Sequence, residues 1–77
     1  MIKDLLSSYI YKSHGWAVAE QFDDTFDGGD FENQNYNALK YIQYTLNSID
    51  RDVLSERSES YLDEYLDRLE QYLNEYN

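Results

Sequence analysis

The chain has 77 residues and carries 16 Asp and Glu against 6 Lys and Arg, a formal net charge of −10. That length makes one domain, residues 1–77, with a thin core, and that charge argues against direct binding to nucleic acid or to an anionic membrane. Both need clustered cations, and here Lys3, Lys12, Lys40, Arg51, Arg57 and Arg68 are scattered.

In the first segment Ile2, Leu5, Leu6, Tyr9, Trp16 and Ala17 share a face if one helix runs through Gly15. The rival for residues 9–18 is a small β-hairpin, with Tyr9, Ile10 and Tyr11 facing Trp16, Ala17 and Val18 across a turn. Ala17, Val18 and Ala19 imitate a leader cleavage site, but Asp4, Ser7, Ser8, Lys12 and His14 interrupt the apolar run before them. The strongest turn signal is residues 26–30, where Gly28 and Gly29 are adjacent, and Asp30 is placed to cap a middle helix. In that helix Leu39, Ile42, Leu46, Ile49 and Val53 recur at spacings of 3 and 4, with Phe31 and Ala38 near the same face.

A second break is expected at residues 55–60, with Ser58 or Ser60 as the next N-cap. Val53 and Leu62 would lie about 180° apart on one straight helix, so a turn is needed to bring both apolar stripes to one core. The alternative is one long helix bridging two partners in a dimer. In the last segment Leu62, Leu66, Leu69, Leu73 and Tyr76 form one stripe. The expected fold is all-α: a small three-helix bundle, or a helical hairpin with an extra N-terminal helix. No run approaches the roughly 18 apolar residues of a membrane span. With no cysteine, no disulfide or thiolate zinc site is available, and a reducing cytoplasm suits the composition.

The charge is not spread evenly. With Leu62 set at zero on the wheel, Glu56, Glu59, Asp63, Asp67 and Glu70 fall on one flank between about 60° and 140°, with no cation of that helix among them. Like charges three and four residues apart cost a helix a few tenths of a kcal/mol per pair, so solubility alone would favour mixed signs. The row spans roughly 21 Å with a carboxylate every ~5 Å, against a phosphate every ~3.4 Å along a DNA strand. Asp23, Asp24, Asp27 and Asp30 gather with Glu32 around the first turn as a second acidic group.

Nine tyrosines accompany the acids. Tyrosine gives a large contact area at low entropic cost and is enriched at interfaces. Tyr9, Tyr65 and Tyr76 lie on or beside apolar stripes. Tyr41 and Tyr44 fall on the back of the middle helix, facing solvent, a second copy or a partner.

Signals for catalysis or metal are weak. An EF-hand register from Asp23 places Asp27 and Gly28 suitably, but Thr25 and Gln34 stand where ligands are required and Asp30 where an apolar residue is usual. His14 is the only histidine and has no cysteine partner. No phosphate loop or nucleophile motif is present. Neither an enzyme, a metal site nor a cofactor is expected.

In size, acidity, tyrosine content and the one-sided carboxylate row, the chain resembles the small acidic inhibitors of phages and mobile elements, including DNA-mimic and anti-CRISPR proteins. Bacteriocin immunity proteins are a neighbouring group whose motif is absent. The resemblance is one of composition and transfers no residue role. It implies a cytoplasmic protein of a bacterial host that occupies the basic nucleic-acid groove of a defence protein, such as a CRISPR effector or nuclease. The alternative is a helical interaction or regulatory module, self-associating as a homodimer, whose charge serves solubility.

Overall fold

The computed structural model describes residues 2–76 and is all-α, as expected, with four α-helices among these residues rather than three. They are α1 (Ile2–His14), α2 (Trp16–Phe26), α3 (Tyr36–Asn47) and α4 (Glu56–Glu75). Short 3₁₀ turns at Phe31–Asn33 and Arg51–Val53 precede α3 and α4. The radius of gyration is 11.5 Å, close to the ~11.5 Å that size scaling gives for one compact domain of this length. The long bridging helix is therefore not formed. No helix among the described residues is long and apolar enough to cross a membrane.

The extra helix comes from Gly15. Its φ of 91° with ψ of −178° belongs to a region that only glycine occupies without strain. α1 stops at His14, and α2 starts in a new direction. Lys3 Nζ bonds Asp27 Oδ2 at 3.0 Å, so the start of α1 meets the end of α2 and the two run antiparallel. The β-hairpin over residues 9–18 is not formed. Nor is the continuous face through Gly15. Leu6, Ile10, Ala19 and Phe22 are buried, whereas Trp16 is 69% exposed, and Leu5, Tyr9 and Ala17 also face outward.

α3 and α4 follow the expected stripes. Leu39, Ile42, Leu46 and Ile49 are buried against Leu62, Tyr65, Leu66, Leu69 and Leu73. Tyr36 meets Tyr76 with ring centroids 4.4 Å apart, which sets the start of α3 beside the end of α4. Val53 leaves the stripe and is 66% exposed, because α3 ends at Asn47 and the 3₁₀ turn rotates it outward. Tyr76 is likewise exposed rather than core.

The caps differ from the expected ones. Asn35, not Asp30, caps α3, its side-chain oxygen accepting from the Ala38 N–H at 3.1 Å. Asp30 instead precedes the 3₁₀ turn that inserts Phe31 into the core, and it accepts from the Asn33 amide. Ser55, not Ser58 or Ser60, caps α4 by accepting from the Ser58 N–H at 3.1 Å.

Candidate functional site

The carboxylates of α4 keep the arrangement read from the wheel. Glu56, Asp63, Asp67 and Glu70 are exposed and Glu59 is half-buried, all beside the buried leucine stripe. The fold adds a cation that the wheel does not contain. Arg51, from the turn before α4, places Nη1 2.8 Å from Asp63 Oδ1 and 3.4 Å from Glu59 Oε1. Two of the five acids are thus shared with one guanidinium. Among the described residues, Glu56, Asp67 and Glu70 make no ion pair.

The acidic turn does not extend this row. Arg68 donates from Nη2 to the Phe26 carbonyl at 3.1 Å, and its Nη1 lies against Gly29. Arg68 stands about 140° around α4 from Asp63, so the turn sits on the opposite flank. Asp23 and Asp24 belong to the last turns of α2, Asp27 pairs with Lys3, and Asp30 is tied to Asn33. Lys3 is held above its ordinary pKa chiefly by the hydrogen bond to Asp27, with the charges of Asp27, Asp23 and Asp4 adding and desolvation opposing. Thr25, which would be the third EF-hand position, is buried and bonded to Tyr65.

Tyr41 and Tyr44 face solvent at 52% and 74% exposure. Tyr41 is partly engaged: its ring stacks on His14 at 5.1 Å with an 18° tilt, and His14 Nε2 lies 2.7 Å from Thr45 Oγ1. That contact ties the end of α1 to α3.

Sequence reasoning missed Arg51 as part of the acidic face, because a loop residue has no place on a helical wheel. It also placed Trp16 on one face with Ile2, Leu5 and Leu6 on the condition that one helix runs through Gly15, a condition the structure does not meet. The clue available was that glycine itself. The chain matches no protein family, no curated protein and no solved structure.

Proposed function

We propose that the chain is an acidic inhibitor that occupies the basic nucleic-acid-binding surface of a host defence protein, such as a CRISPR effector or a nuclease. The observation that supports this reading is the outward row on α4, where Glu56, Asp67 and Glu70 are exposed and make no ion pair among the described residues. Such a row costs the helix stability and gives nothing to the core. Facing a channel lined with Lys and Arg, it steers association and competes with phosphates. The reading needs no cofactor and no catalytic step.

The test is competition. Wild-type protein should capture a nucleic-acid-binding protein from bacterial lysate, release it at high salt, and block its binding to duplex DNA or RNA. Asp67→Lys with Glu70→Lys should lose both effects while keeping the wild-type circular dichroism, since both side chains are exposed. Equal capture and equal blocking by the double variant would remove the row from the mechanism.

A second reading, self-association as an interaction module, draws on the exposed Tyr41 and Tyr44. It predicts a dimer by analytical ultracentrifugation that Tyr44→Ser dissociates at any salt concentration.

A further inference from the structure

The largest exposed aromatic side chain in the described structure is Trp16, the only tryptophan of the chain. It stands at one end of an open groove of about 350 Å³ between α1 and α2. Tyr11, 55% exposed, faces it across the Gly15 turn. The middle of the groove is made of small side chains, Ser7 and Ser8 from α1 and Ala19 from α2. Because the helices are antiparallel, Asp4 and Asp23 meet at the far end, with Glu20 one turn from Trp16. Each helix thus presents residues i, i+3, i+4 and i+7 to one trough that is aromatic at one end and carries Asp4 and Asp23 at the other, where Lys3 is turned to Asp27 and offsets part of their charge.

The geometry points to a docking groove for an arginine- or lysine-bearing segment of a basic partner protein. A long cationic side chain matches the trough along its length. Its aliphatic stem fits along the small side chains Ser7, Ser8 and Ala19, which leave the middle of the groove open. Its head reaches the carboxylates of Glu20 and Asp23, while a neighbouring cation stacks on the Trp16 face. Charge selects the occupant. A second copy would bring another −10 surface to an acidic groove, and nucleic acid would be repelled. The volume lies near the lower limit for ligand pockets and suits one or two side chains rather than a whole helix. Exposed tryptophan beside tyrosine is also the composition of interface hot spots.

The groove is separate from the α4 row, so it can be tested independently of the proposed function. The probe is a short Gly/Ser peptide carrying two arginines, titrated into ¹⁵N-labelled full chain, with the same peptide carrying citrulline as the uncharged control. Saturable shifts are expected at the Trp16 indole N–H and at Ser7, Ser8 and Glu20, and the citrulline peptide should lose them. Glu20→Gln with Asp23→Asn should weaken the arginine peptide about ten-fold, the size of one lost charge-assisted contact. Asp67→Asn with Glu70→Gln removes the same charge from α4 and should change groove affinity less than about two-fold. Shifts confined to α4, equal weakening by both double variants, or undiminished citrulline binding would each overturn the groove. Shifts confined to α4 would do so while leaving the proposed function standing.

Discussion

The Tyr65 hydroxyl lies 2.6 Å from Thr25 Oγ1 in the core, and Thr25 Oγ1 lies 3.0 Å from the Phe22 carbonyl. Thr25 has one hydroxyl proton, and the carbonyl can only accept. The chain of bonds therefore runs from Tyr65 O–H to Thr25 Oγ1 and from Thr25 O–H to the Phe22 oxygen. Around it the Tyr65 ring meets Phe22, Phe26 and Phe31 at centroid distances of 5.2, 5.6 and 6.0 Å. This polar pair joins α2 to α4 through otherwise apolar surroundings.

The direction of the bonds ranks two substitutions. Tyr65→Phe removes one donor and leaves Thr25 bonded to the carbonyl, which should cost about 0.5–1.5 kcal/mol. Thr25→Val strands the buried Tyr65 hydroxyl and should cost about 1–3 kcal/mol. The double variant should be less destabilised than the sum of the two. Urea denaturation of the three variants checks the order, and a Tyr65→Phe cost above that of Thr25→Val would reverse the assigned donor.

Burial also pushes the Tyr65 phenol up to about 12, with the Thr25 hydrogen bond and the Arg68 charge opposing the shift. The unfolded chain ionises this group near 10, so between pH 10 and 12 the unfolded state holds fewer protons and stability falls as pH rises. The contribution is fully present below pH 10, and the loss across the window is of order 2–3 kcal/mol. Lys3, also shifted upward, loses its contribution in the same direction. Comparing wild type with Tyr65→Phe, which retains Lys3, isolates the tyrosine. The variant should show the shallower alkaline decline.

The α3 and α4 stripes were legible because their 3 and 4 spacings run uninterrupted, and Leu39, Ile42, Leu62 and Leu69 are buried as the pattern requires. The first segment was not, since one glycine in the open region of φ redirected the helix, and no proline marked the break. The caps were misplaced because Asp30, Ser58 and Ser60 have the right chemistry near the right positions, and only the backbone path selects Asn35 and Ser55 over them. The carboxylate row was readable from angles alone. Its partial neutralisation by Arg51 was not, because that contact depends on how the 3₁₀ turn folds back on α4.

Gly15 should resist substitution for backbone reasons alone. A Cβ built there meets nothing within 4 Å, so there is no steric clash with neighbouring elements. Gly15→Ala should still cost about 1–3 kcal/mol, because an L-residue is strained at that φ and ψ. The thermal midpoint should fall and α1 should separate from α2 first, seen as lost amide protection at Ile10 and Ala19. An unchanged midpoint would mean that the two helices do not need this turn.

Arg51 separates the two roles of the acidic face. Its pairs with Glu59 and Asp63 are partly exposed, so Arg51→Gln should change stability by less than about 1 kcal/mol. The substitution leaves all five carboxylates of the row without an ion pair among the described residues. If the row mimics phosphates, affinity for a basic partner should rise and its salt dependence should steepen, because more carboxylates are then available to the partner's cations. If the row only keeps the protein soluble, Arg51→Gln should leave affinity unchanged at every ionic strength. Calorimetric titration at two salt concentrations distinguishes the outcomes, with the thermal midpoint of the same sample showing that the fold is intact.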